Sequence, residues 1–270
     1  MKRVATTSAA ANRILSIRQL FSCTVALILV LGAAPIARAA TVLVDFGNNS
    51  SFRGASVANP DPHGNFWNSM QPGVFYTNLI NTANVPTTIN FGFSTPVGTD
   101  SFNGPAGVTN NSPLTPAEVA AADIDEAALG ILGVKAAAVD FAAETNCRFE
   151  IQQLDPLKKY NLTFYGSHKF STSDATRYSV YTDNTYTTLV SSGLLNVQQP
   201  GSPNLHNRDT VLTLGNLSPQ ASNILYVQFT GATGGQGYLN SMAISEVPEP
   251  GAMTICGLAG LLAGWRRRRC

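Results

Sequence analysis

Tyr160-Asn161-Leu162-Thr163-Phe164-Tyr165 decides the fold class. Tyr160, Leu162 and Phe164 share one face, and Asn161 and Thr163 take the other. A period of two in β-branched and aromatic residues marks a half-buried strand. The same spacing recurs on either side. In residues 88–93 the apolar set is Ile89, Phe91 and Phe93; in residues 223–229 it is Leu225, Val227 and Phe229. Further strand signals fall on residues 41–46, 178–182, 186–190, 211–214 and 238–246, the first ending at the turn cluster Gly47-Asn48-Asn49.

Two strands share a lead-in. Leu154-Asp155-Pro156 precedes the Tyr160 strand, and Leu217-Ser218-Pro219 precedes the Ile224 strand. In each, an apolar residue plugs the core, a turn follows, and proline stiffens it. One helix is expected over residues 117–129. Thr115 can cap it, Pro116 suits its first position, Glu118 completes a capping box, and Gly130 can end it. Many short strands, one short helix and polar loops give an all-β class, a jelly-roll β-sandwich.

The sequence divides into three parts: residues 1–39, 40–247 and 248–270. The first twenty residues carry four basic side chains and no acidic one. An apolar run, residues 21–32, and the A-x-A pattern Ala37-Arg38-Ala39 follow. This is the layout of a secretory signal peptide cleaved after Ala39. The run is short for a stable N-terminal anchor, the competing reading. At the other end stand Pro248-Glu249-Pro250, a short Gly/Ala/Leu segment, and Arg266, Arg267, Arg268 and Arg269. The prolines end the preceding strand, the apolar segment can enter a bilayer, and the arginines resist translocation. At about 14 residues the segment suits a transient stop better than an ordinary transmembrane anchor.

The mature middle has eight basic and fifteen acidic side chains, so the overall charge of +1 comes from the ends. A net-acidic domain disfavours nucleic acid as a partner. Only Cys147 of the four cysteines lies in the middle, so neither an internal disulfide nor a multi-cysteine zinc site is expected there.

The C-terminal layout, residues 247–269, resembles the PEP-CTERM sorting signal of Gram-negative-type bacteria. The resemblance implies recognition near Pro248-Glu249-Pro250 by an exosortase-type membrane enzyme, removal of the tail, and release or attachment at the cell surface. Such proteins are often linked to exopolysaccharide. Signal peptidase and the sorting enzyme are the implied processing partners, with the membrane reached through the C-terminal segment before cleavage. Within the middle, Val44-Asp-Phe-Gly47, residues 60–68, Leu154-Asp-Pro156, Phe164-Tyr-Gly-Ser-His168, Thr176-Arg-Tyr178 and Tyr238-Leu-Asn-Ser-Met242 are similar to exported domains of planctomycete-like bacteria. Those domains resemble galactose-binding-like jelly rolls.

Catalytic constellations are scarce. The three histidines are His63, His168 and His206, and hydrolase, metalloprotease and phosphate-loop motifs are missing. Ser167 and His168 are strand neighbours and would point to opposite faces. Asp123, Asp125 and Glu126 fall on the expected helix, where a solvated face explains them.

The richest segment holds Asp61, His63, Asn65, Phe66, Trp67 and Asn68 in one Gly/Pro-bounded loop. A flat aromatic with Asn and Asp around it suits a sugar ring and its hydroxyls. The competing reading makes Trp67 a plug at a sandwich end, with Asn and Asp capping turns. Asp45 and Glu246, the ends of the first and last strands, are a candidate calcium pair; no other cofactor is expected. The leading expectation is a non-enzymatic exported surface or matrix protein that binds polysaccharide. A carbohydrate-active hydrolase and a purely structural or ice-adhering protein are the alternatives. Thr185, Thr187 and Thr188 are too few for an ice-binding array.

Overall fold

A computed structural model describes residues 40–46, 56–96, 98–101, 115–169, 173–199 and 205–248. The chain divides into two units. One is Ala39–Val247; the other joins Met1–Arg38 with Pro248–Cys270. The architecture below is that of the first. Ala37, Ala39, Glu249, Pro250 and Arg266 to Arg269 lie outside the described residues.

The strands run β1 (Thr41–Asp45), β2 (Trp67–Ser69), β3 (Phe75–Tyr76), β4 (Asn90–Phe93), β5 (Gly98–Ser101), β6 (Asp140–Glu144) and β7 (Cys147–Gln152). They continue with β8 (Tyr160–Tyr165), β9 (Ala175–Tyr181), β10 (Leu189–Asn196), β11 (Leu212–Leu217), β12 (Leu225–Gly231), β13 (Gly237–Leu239) and β14 (Ser241–Glu246). One sheet has the order β11-β8-β14-β1-β2, a second β10-β9-β12-β7-β4-β3, and a small third β13-β6-β5. Set β2, β3 and β4 aside in the two large sheets, and eight strands remain. Four form β11-β8-β14-β1 and four form β10-β9-β12-β7, with the chain changing sheet at every link but the β9–β10 hairpin. That winding is the jelly roll expected from the sequence.

The two large sheets bury their facing sides in one core. Val42, Val44, Phe164, Met242 and Ile244 come from the first sheet; Phe91, Phe149, Ile151, Tyr178, Val227 and Phe229 come from the second. Phe46, Phe91, Phe93 and Phe149 form an aromatic knot, with Phe91 and Phe149 at 5.0 Å between centroids. Leu154 and Leu217 are buried plugs, as their lead-ins required. Asp155 N–H donates to the Tyr160 hydroxyl at 2.9 Å, tying the turn to the strand that follows.

The outer faces differ. The first sheet is covered on the outside: Leu43, Trp67, Tyr165 and Ala243 pack with Leu129, Leu132, Ala137 and Ala138 of the helical segment. This is why Val42, Leu43 and Val44 are apolar without alternation: β1 is buried on both sides. The second sheet has an open outer face. Its β7 alternates buried and half-exposed along Cys147 to Gln152.

Several expectations are corrected. The single helix is broken into Pro116–Ala120 and Glu126–Leu129. Asp125 breaks it by capping a new helix: its side chain accepts from Ala128 N–H at 3.0 Å, and Gly130 then ends that helix at φ 60°. Tyr186 is not in a strand but in the β9–β10 loop at φ 58°. Residues 238–246 form two strands, broken at Asn240, because the Asn240 backbone and side chain bond Tyr165, Phe46, Ser167 and Ala138.

Candidate functional site

The loop at residues 59–68 is built for support. Trp67 is 1% exposed and lies under the helical segment. Its indole Nε1–H donates to Asp61 Oδ2 at 2.8 Å, while Asp61 Oδ1 accepts from the backbone N–H of His63 and Asn65, both at 2.8 Å. Asn59 brackets Trp67 by accepting from its N–H at 2.7 Å and donating to its carbonyl at 3.0 Å. Asn68 binds the Leu43 and Ile80 carbonyls and the Ile80 N–H. The ligand-binding assignment of Asp61, Trp67 and Asn68 is therefore corrected: the ring has no face for a sugar, and the polar groups are spent on the backbone. Trp67 is a plug, placed beneath the helices and not at a sandwich end. His63 is exposed, 3.8 Å from Glu126, and Asn65 closes the turn on Asp61.

The calcium pair is corrected by register. β1 and β14 are antiparallel, with Asp45 opposite Ser241 and Thr41 opposite Ser245. Asp45 and Glu246 thus lie at opposite ends of the ladder, roughly 16 Å apart at strand rise. Asp45 is buried and accepts from Val57 N–H and Ser69 Oγ; Glu246 meets Lys158 Nζ at 2.8 Å. Its strand is interior, between β8 and β1, so the ion pair and not an edge position accommodates the charge. The Lys158 amine is held above its ordinary range by that hydrogen bond. Among the described residues no group of three or more His, Cys, Asp or Glu converges on a common point.

Ser167 and His168 do not pair. Ser167 Oγ donates to the Asn207 carbonyl at 2.8 Å, and the His168 ring stacks on Tyr238 at 4.4 Å. Asp123 pairs with Arg208 at 2.8 Å, and its carbonyl accepts from His206 Nε2 at 2.8 Å. Cys147 is buried, and burial pushes its thiol far up.

The open face of the second sheet presents a different surface. Cross-strand register lines up Phe75, Gly92, Glu150, Tyr226, Tyr181 and Leu189 in one row over six strands. At strand spacing that row spans about 24 Å. Phe75, half exposed, packs against Gly92. A Cβ on Gly92 would stand 2.5 Å from the Phe75 ring, so the missing side chain is what seats it.

Tyr186 is laid back onto this row by its loop. Asp183 accepts from the backbone N–H of Thr185, Thr187 and Thr188 and from the hydroxyls of Thr185 and Thr187. The Thr185 hydroxyl foremost, then those amides, hold its carboxyl well below the usual range. The threonines thus fix the loop. The Tyr186 ring stands edge-on to Tyr181 at 5.5 Å and to Tyr226 at 5.9 Å, with the Arg148 guanidinium 4.3 Å above its centroid. Polar groups run between the rings. Tyr181 donates to Gln228 at 3.1 Å, Gln228 to Asn146 at 2.6 Å, and Ser94 and Gln152 to the two oxygens of Glu150 at 3.1 and 2.6 Å. The result is a rigid platform in which Tyr181 and Tyr186 are half-exposed and Tyr226 is buried against Tyr186, with amide, hydroxyl and charged groups beside them.

The sequence carries a signal for this platform. Cys147-Arg-Phe-Glu-Ile-Gln152 alternates strictly, and its outward set Arg148, Glu150 and Gln152 is half the polar lining. Tyr186 had no such signal, since its place depends on the Asp183 turn.

No family model matches the chain, and no curated protein matches it. Among solved structures it is similar to the enzymatically active domain of bacteriophage CBA120 tailspike protein 4, at 13% identity and a TM-score of 0.28, over 58% of this chain and 19% of that one. It is similar to the K2 cleaved adhesin domain of Lys-gingipain at 10% identity and a TM-score of 0.25, over 39% and 72%. An arabinose-bound MgGH51 α-L-arabinofuranosidase gives 13% identity and a TM-score of 0.29, over 76% and 32%. The chain spans less than a third of the tailspike and of the arabinofuranosidase chains. Likenesses this distant assign no ligand.

Proposed function

We propose that the chain is an exported cell-surface or extracellular-matrix protein of the PEP-CTERM class, non-enzymatic, whose jelly roll binds polysaccharide on the open face of the second sheet. Export rests on the basic-apolar-AxA leader and the Pro-Glu-Pro, apolar, arginine tail. Signal peptidase and an exosortase-type enzyme are the processing partners. The observation that supports the ligand is the tyrosine platform with its interleaved hydrogen-bonding groups, the combination that pyranose faces and hydroxyls require. Aromatic rings held by a fixed turn lose little freedom on binding, so a flat glycan is met by a preformed surface.

Two measurements test this reading. Mass spectrometry of the protein from its host should show a mature N-terminus at Ala40 and loss of the tail near Pro248. Native affinity electrophoresis over a polysaccharide panel should show retention that Tyr186→Ala removes and that Trp67→Phe leaves intact in the folded protein. Retention indifferent to Tyr186 would place any glycan elsewhere, and an unprocessed tail would remove the sorting reading.

A further inference from the structure

The platform carries a cation outside any ion pair. Among the described residues no carboxylate reaches the Arg148 guanidinium within ion-pair distance, and none of its side-chain nitrogens has a hydrogen-bond acceptor. Its Nε is buried; its terminal nitrogens are not, so they keep contact with solvent beside the Tyr186 ring. The two carboxylates of the face keep their charge but turn their oxygens to neutral donors and not to Arg148. Glu150 has both oxygens taken by Ser94 and Gln152, and Asp183 has both taken by its turn. Arg177 shares the outward parity of Tyr181 on β9 and is exposed, also with no carboxylate in reach. It sits two strands across and two residues along from the Arg148–Gln228 row, about 12 Å away by strand spacing and rise.

Two guanidinium groups outside any ion pair, on one aromatic face, present oriented donors to a ligand carboxylate. A guanidinium presents paired N–H donors that fit a carboxylate in a planar fork, and stacking on Tyr186 fixes its plane. Resting on the polysaccharide reading above, we propose that the ligand is an acidic polysaccharide. A uronic acid carboxylate lies on Arg148, its ring meets Tyr186 and Tyr181, and a second acidic residue further along the chain reaches Arg177. The arginines then select charge, while the tyrosines supply affinity common to any flat sugar.

The test compares polygalacturonate with the same polymer after carboxyl reduction, using the purified protein and equilibrium binding at two salt concentrations. The wild type should bind polygalacturonate about tenfold more tightly than the reduced polymer, the usual scale of one charge-assisted hydrogen bond, and lose that margin at high salt. Arg148→Gln should remove most of that margin, weakening binding to polygalacturonate far more than binding to the reduced polymer. Arg148→Lys, which keeps the charge and the fold but not the fork, should fall between, and Arg177→Gln should remove a smaller part. Equal affinity of the wild type for the two polymers overturns the acidic ligand. So does Arg148→Gln weakening both alike. In either case, sensitivity of both to Tyr186→Ala leaves the platform standing. No binding of either polymer by a protein that melts normally overturns both readings together.

Discussion

Replacing Trp67 by Phe tests whether residues 59–68 support the fold or bind a ligand. The indole Nε1–H meets Asp61 Oδ2 at 2.8 Å in a buried site. Phenylalanine removes that donor and leaves the carboxylate oxygen with only Asn65 Nδ2 at 3.4 Å. A hydrogen bond to a charged group contributes about 1.5–3 kcal/mol. The smaller ring also leaves a void beneath Leu129 and Leu132, which adds about 1 kcal/mol. Together the loss is about 2.5–4 kcal/mol. For a domain of this size each kcal/mol lowers Tm by about 2–4 °C, so the midpoint should fall by roughly 5–15 °C. Calorimetry measures it directly, and polysaccharide retention at low temperature, where the variant is folded, should match the wild type. Asp61→Asn is the companion change: its amide nitrogen would face the indole N–H, donor against donor, and should cost about as much as the lost bond. A Trp67→Phe protein that melts with the wild type but no longer binds glycan would refute the supporting role of this loop.

Other outcomes follow from buried groups elsewhere. Asn240→Ala removes the acceptor for Ser167 N–H at 2.7 Å and the donor to the Ala138 carbonyl at 3.0 Å, both buried. It should lower the urea midpoint by an amount equal to about 2–4 kcal/mol, with an unchanged slope. His206 is held below its ordinary 6.5, first by burial, with Lys169 and Arg208 opposing a further positive charge and the Asp123 carbonyl and carboxylate favouring it. The unfolded chain therefore takes a proton near pH 6.5 that the folded chain refuses. Stability from this group is present above that pH and is lost as pH falls towards the depressed folded value. The slope of Tm against pH below 6.5 should flatten in His206→Gln. Cys147 is fully buried with its thiol pushed up by desolvation, so iodoacetamide should label it only at the rate of global opening. Rapid labelling of the native protein would contradict that burial.

Much of the fold could be read from period-two segments, and the failures have physical causes. Tyr160–Tyr165 is legible to the residue because Tyr160, Leu162 and Phe164 enter the core while Asn161 and Thr163 face polar neighbours. Cys147–Gln152 has an equally clean pattern, with Cys147, Phe149 and Ile151 buried. Asp140–Glu144 gave no pattern, since Asp-Phe-Ala-Ala-Glu is buried on nearly every residue and its alanines suit a helix as well as a strand. The site was less legible. Trp67 drew attention for its chemistry, but burial is decided by the helical cover, which is distant in sequence. Tyr186, Tyr226 and Arg148 come from a hairpin loop and two non-adjacent stretches, and only strand pairing sets them together. Asp45 and Glu246 misled for a related reason: proximity of two strands does not give the end of each that touches.

That same β1–β14 register has a mechanical meaning. Glu246 N–H donates to the Ala40 carbonyl, so the first and last residues of the domain leave the sheet at one spot. A pull applied between them meets the ladder one rung at a time, as a zipper is opened from its tab. The resistance is that of a single bond and not of the whole strand pair in shear. Extension in an optical trap should therefore begin at low force with release of β1, while the sheet carrying the tyrosine platform stays loaded last.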